Sequence, residues 1–240
     1  MRLFKRKAAE PPPPPPPPPP PACPYCGVIY DTPPTATRKC PECGNTIIRR
    51  KQGDDIRYLT EDQAKTHDAQ RSAAAARIKA LRRTLAIGLT EQDFRRKEEA
   101  LAAKWGGSAS AADVFWQLAL GRIQQLGRQG GPRRCGYDLE TVYRQQAQQL
   151  HYEHRSYQHL LKEAHKSRLI WEWTKIEAVE GPTEARAWRA VISGNACCPE
   201  CARLDHRAYT FEEAMKTGPL PPDDCSAGWC NCCWLNEPPM

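Results

Sequence analysis

Two five-residue segments, CPYCG at 23–27 and CPECG at 40–44, repeat one pattern, with thirteen residues between Cys26 and Cys40. A thiolate-bound zinc has Zn–S bonds of about 2.3 Å, so a tetrahedral site needs sulfurs about 3.8 Å apart. A two-residue turn supplies that separation and aims its backbone N–H groups at the sulfurs. Pro24 and Pro41 stiffen the turns, and Gly27 and Gly44 permit a left-handed exit. The spacing predicts a structural zinc held by Cys23, Cys26, Cys40 and Cys43 in a zinc ribbon over 23–51, in preference to disulfides or an iron site. Four protein ligands leave the ion no open position, which argues against catalysis there.

The remaining cysteines gather at the other end. Residues 196–205 read ACCPECARLD and 224–234 read DCSAGWCNCCW. Cys198 and Cys201 form one C-x2-C half. The return half offers Cys225, Cys230, Cys232 and Cys233, more thiolates than one tetrahedral zinc can hold. The expected ligands are Cys198, Cys201, Cys225 and either Cys230 or Cys232, with Cys197 and Cys233 outside the metal shell. A binuclear cluster and a set of unliganded buried cysteines are the alternatives. Two zinc ions per chain are therefore expected.

Twelve cysteines in grouped pairs, behind an N-terminus without an apolar secretory stretch, suit a reducing cytoplasmic setting better than disulfides. No run approaches the roughly 20 apolar residues of a membrane span. Charge divides the chain. Residues 1–51 carry nine Lys and Arg against three acids, whereas residues 190–240 carry three basic against seven acidic side chains. The two cysteine modules thus suit different partners.

Residues 11–21 are eleven consecutive prolines, which fix φ, lack N–H donors and dictate a polyproline II rod. It reads as a spacer behind a basic tail over 1–22, or as a docking ligand for an aromatic groove. Helix signals follow. Thr60 with Gln63, Thr90 with Asp93 and Ser110 with Asp113 are N-caps. Gly88 and Gly106 are stops, and Asp138 is expected to start a long fourth helix through Leu150, His154 and Leu161 to Ala164. Leu169, Trp171 and Trp173 alternate with polar neighbours and read as a strand over 169–179. Residues 188–192 (WRAVI) form another candidate strand, and Thr210 with Glu213 caps a short helix ending near Gly218. The chain is thus expected to be a small multi-module α+β protein: zinc ribbon, helical domain over 60–167, and a C-terminal zinc module over 168–240 with short strands and one short helix.

Other candidate chemistry is thin. His151, Glu153, His154, His159 and His165 lack a second ligand-bearing helix. Cys135, beside Arg133 and Arg134, lacks a visible base. His206 reads as a surface turn residue. No nucleotide-binding loop or hydrolase triad is present.

The C-x2-C pair, followed by Leu204, Asp205 and Tyr209 in an L-D-x-x-x-[FY] segment, a short helix, a proline-rich approach and a C-x-C ending, resembles the C-terminal module of phage minor head, or head-morphogenesis, proteins. The resemblance covers roughly the last fifty residues. His206 stands where that family has glycine, and residues 222–232 replace its H-P-x-C-R-C ending, so Cys225 would take the place of a ligand histidine. The whole arrangement is also similar to uncharacterised bacterial zinc-ribbon proteins. The resemblance names an architecture, without an activity. The expected function is a non-enzymatic zinc-binding interaction protein with protein partners. The alternative is a nucleic-acid-binding factor using Lys39, Arg49, Arg50 and Lys51.

Overall fold

A computed structural model describes residues 20–52, 55–194, 198–227 and 229–239. The basic tail, most of the proline run and Cys197 lie outside the described residues. The chain divides into two compact units, Met1–Ser72 and Ala73–Met240.

In the first unit the strands β1 (Arg38–Lys39), β2 (Thr46–Gln52) and β3 (Asp55–Leu59) form an antiparallel sheet in that order. Its core is very small: Cys23, Tyr30, Cys40 and Ile47 are buried, with Val28, Cys43 and Tyr58 packed beside them. Two of the four buried residues are cysteines. Apolar burial alone is therefore too slight to fold this unit. Helix α1 (Glu61–Ala86) begins behind Thr60, whose side chain accepts from the Gln63 N–H while the Gln63 carbonyl accepts from the Thr60 N–H. Arg50 grips Asp68 of α1 with two nitrogens, at 2.6 and 2.9 Å, and the Glu61 N–H donates to the Tyr25 hydroxyl.

The second unit contains α2 (Glu91–Trp105), α3 (Ala111–Arg128), α4 (Gly131–Tyr152), α5 (Gln158–Glu180) and α6 (Pro182–Ala185). Then follow β4 (Arg189–Ser193), α7 (Pro199–Leu204), β5 (Ala208–Tyr209), α8 (Phe211–Thr217) and β6 (Cys233–Glu237). The architecture is mixed: helices with two small sheets, and cysteine clusters towards both ends. The capping box at Thr90 and Asp93, the cap at Ser110 and the capping box at Thr210 and Glu213 all start helices where their spacing predicts. Phe94, Val114, Phe115, Leu126 and Val142 centre one core. Leu161, Leu169, Ile192, Leu220 and Trp234 centre a second, which also contains Cys198, Cys201, Cys230 and Cys232.

Two expectations are corrected. The long fourth helix is two helices, because the chain breaks after Tyr152. His154 takes a left-handed φ of 55°, the His154 N–H donates to the His151 carbonyl and the Arg155 N–H reaches back to Leu150. That pair of bonds is a Schellman ending, which satisfies the last carbonyls of α4 and turns the chain back on itself. At its start, α4 begins at Gly131 behind Gly130, seven residues before Asp138, and Cys135 lies within it at a kink.

Residues 169–179, read as a strand, lie inside α5. Leu161, His165, Leu169 and Trp173 are buried at four-residue intervals, which is a helical stripe. The misleading alternation comes from Trp171. It is a half-buried residue off that stripe: its Cβ lies at the α4–α5 crossing beside Gly136, and Arg168 and Lys175 lie over its ring, 5.1 and 3.4 Å from the centroid. Cations over its ring let a tryptophan sit at a partly exposed helical position. The close crossing of α4 and α5 depends on Gly136, where a Cβ would stand 2.3 Å from the Ser167 carbonyl oxygen.

The sheet of the second unit has the order β5-β4-β6, with Ile192 opposite Trp234 and Ser193 opposite Cys233. The pairing of β4 with β6 carries Cys230 and Cys232 towards Cys198 and Cys201 of the C-x2-C turn. Asp205 closes that turn by accepting the Gly194 N–H at 2.7 Å, and Tyr209 stands edge-on to Trp234.

Candidate metal centres

The two C-P-x-C turns of the first unit are built alike. Gly27 donates to the Cys23 carbonyl and Gly44 to that of Cys40, both at 2.9 Å. Cys23 and Cys40 in turn donate at 2.8 Å to Val28 and Asn45. The turns face each other and bring all four sulfurs within 4.8 Å of one another. The Cys23–Cys43 and Cys26–Cys40 separations are 3.9 and 3.8 Å. A disulfide would need about 2.05 Å. The separations match the edge of a tetrahedron around an ion with bonds of about 2.3 Å.

Outer donors complete the set. The Tyr30 hydroxyl donates to the Cys40 sulfur at 3.5 Å, and the Asn45 amide donates to that of Cys43 at 3.6 Å. The Tyr30 hydroxyl, with the N–H groups of Cys43 and Glu42, brings the Cys40 thiol down to about 6. The Val28 N–H favours the Cys26 thiolate, but burial and hydrogen bonding with the Cys23, Cys43 and Cys40 sulfurs push that thiol up to about 12. Four sulfurs this close cannot all carry charge unless a cation sits among them. The donor set therefore fits a thiophilic dication.

The C-terminal cluster is organised differently. Cys198 caps α7, its sulfur accepting the Cys201 N–H at 3.4 Å. The sulfur of Cys225 lies 3.7 Å from that of Cys198 and 3.8 Å from that of Cys201, and Cys230 also lies 3.8 Å from Cys201. Five cysteines fall into two triads, Cys198–Cys201–Cys225 and Cys201–Cys230–Cys232, with Cys201 common to both. Burial first, and then the neighbouring Cys198 sulfur, raise the Cys225 thiol to about 11. Cys233 begins β6 and belongs to neither triad.

Side chains that carry no metal-binding signature hold the two halves together. Glu200 accepts the Ser226 hydroxyl at 2.7 Å, and Arg203 pairs with Asp224 at 2.7 Å. Trp229, between Cys225 and Cys230, stacks on Tyr157 with centroids 5.4 Å apart, and His151 meets the same ring edge-on at 5.1 Å. Sequence reasoning missed Tyr30, Tyr157, Glu200 and Trp229. Tyr30, Glu200 and Trp229 stand within a few positions of a cysteine, whereas Tyr157 carries no such signal.

The histidines are otherwise engaged. His154 ends α4, His159 and His206 are exposed, and His165 is buried in the core. Among the described residues, every group of three or more clustered potential ligands consists of cysteines. The four basic residues considered for nucleic acid do not form one patch. In strand register, Lys39 pairs with Thr46, which shares a face with Arg50, while Arg49 and Lys51 point to the opposite face. Arg50 is already committed to Asp68.

The chain matches no protein-family model, and no curated protein or solved structure is significantly similar to it. Among the described residues, no helix is long and apolar enough to cross a membrane.

Proposed function

We propose that this is a non-enzymatic zinc-binding interaction protein: an N-terminal zinc ribbon and a C-terminal zinc module displayed by a helical middle, with the acidic C-terminal module engaging a protein partner. The observation that carries this reading is the closed set of four sulfurs at Cys23, Cys26, Cys40 and Cys43, spaced as a tetrahedral thiolate site requires. Zinc on the C-terminal cysteines, drawn from Cys198, Cys201, Cys225, Cys230 and Cys232, joins a C-x2-C turn to a return loop that otherwise has little regular structure. Both ions act by fixing fold and surface. The resemblance of the last fifty residues to phage minor head modules supports an assembly role.

The test is affinity capture with the full chain at physiological salt, with nucleic acid quantified alongside protein, for the parent and for Arg49, Arg50 and Lys51 replaced by alanine. A defined protein partner retained by the triple variant, and lost when Cys225→Ser disrupts the C-terminal module, supports the adaptor reading. Capture dominated by nucleic acid, weakening steeply with salt and reduced in the triple variant, overturns it in favour of phosphate recognition.

A further inference from the structure

The first unit of this chain shows what a complete single-ion set looks like, with four sulfurs all within 4.8 Å of one another. The C-terminal set does not close in that way. Its five sulfurs make two triads that share only the sulfur of Cys201, which stands 3.8 Å from Cys225 on one side and 3.8 Å from Cys230 on the other. Each of those separations is the edge expected for two thiolates on one ion. One ion cannot meet both triads fully, because Cys198, Cys201, Cys225 and Cys230 do not form a mutually close foursome. Cys201, Cys230 and Cys232 are all buried.

From this geometry we infer that the C-terminal cluster binds two thiophilic d¹⁰ ions, one on each triad, with the Cys201 thiolate bridging them. The inference rests on the zinc reading proposed above and adds a third ion to the chain. Two three-sulfur sites that share one ligand need five thiolates, which is the number brought together. Water completes each coordination shell. The charges agree as well: five thiolates around one dication leave a large negative excess in a mostly buried place, and a second dication nearly removes it. Cys201 is suited to the bridging role because α7 fixes it from one side, while the loop carrying Cys225 and the approach to β6 reach it from two directions.

Native mass spectrometry of the full chain produced in zinc-replete medium counts the ions directly, and three per chain are expected. Cys232→Ser, which removes an outer ligand of the second triad, should lower the count to two while leaving the near-ultraviolet signal of Trp229 and Trp234 in place. Cys201→Ser should lower it to one. In the parent chain loaded with cadmium-113, two C-terminal resonances should be coupled to each other through the shared sulfur. A count of two in both the parent and Cys232→Ser, with no cadmium–cadmium coupling, overturns the bridged pair and leaves the zinc reading standing. A count of one or none in the parent overturns both.

Discussion

Tyr30 is the residue through which the first cysteine cluster meets the rest of its unit. Its ring belongs to the four-residue buried core and its hydroxyl donates to the Cys40 sulfur. Outer donors of this kind typically change metal affinity by 10–100-fold. Tyr30→Phe keeps the ring and removes the donor, so zinc affinity should fall by roughly 10-fold in a competitive chelator titration, with the sheet unchanged by circular dichroism. A second residue acts on stability instead. His165 is 3 % exposed, and burial first and then Arg144 lower its ring to about 3. Its ordinary value is near 6.5, so between those limits the unfolded chain binds a proton that the folded chain does not. The stability contributed by keeping His165 neutral is therefore lost as the pH falls below about 6.5. A group so placed costs at most roughly 1.4 kcal/mol per pH unit in that window. Urea midpoints at saturating zinc should thus decline less between pH 7 and 5 in His165→Gln than in the parent, and equal declines would contradict the assignment.

At the level of elements, the crossing of α4 and α5 is the contact most sensitive to a single methyl group. Gly136→Ala would place a Cβ against the Ser167 carbonyl and the Trp171 side chain. Overpacking of this kind costs about 1–3 kcal/mol, readable as a shift of the urea midpoint with an unchanged slope. What was legible in the chain follows the same physics. Capping residues act within four positions, so Thr90, Ser110 and Thr210 announced their helices, and Gly106 and Gly218 ended two of them. The duplicated C-P-x-C turns are equally local. The break after Tyr152 was not legible, because a histidine in the left-handed region carries no such signal and the apolar spacing runs straight through it. Residues 169–179 misled because Trp171 alternates with Leu169 and Trp173, although it lies off their buried stripe and packs against α4 at Gly136 with Arg168 and Lys175 over its ring. The two triads were legible only as a surplus of cysteines. Their division around Cys201 depends on how β4 pairs with β6, a contact made by residues forty or more positions apart.

For the whole molecule, the two units differ in what holds them. The second has extensive apolar cores of its own, whereas the buried cluster of the first has four residues, two of them cysteines. On the proposed zinc reading, binding of the ion supplies most of the folding free energy of the first unit. Cys40→Ser should therefore abolish protection of its strand amides in hydrogen exchange while α3, α4 and α5 keep theirs, and protection lost evenly across the chain would contradict this division. The thiolate environment proposed for the ion is the central claim. X-ray absorption at the zinc edge of the purified full chain tests that most directly. A first shell dominated by sulfur at about 2.3 Å is the predicted result, and a shell dominated by nitrogen or oxygen at about 2.0–2.2 Å, or a protein without zinc, would contradict it.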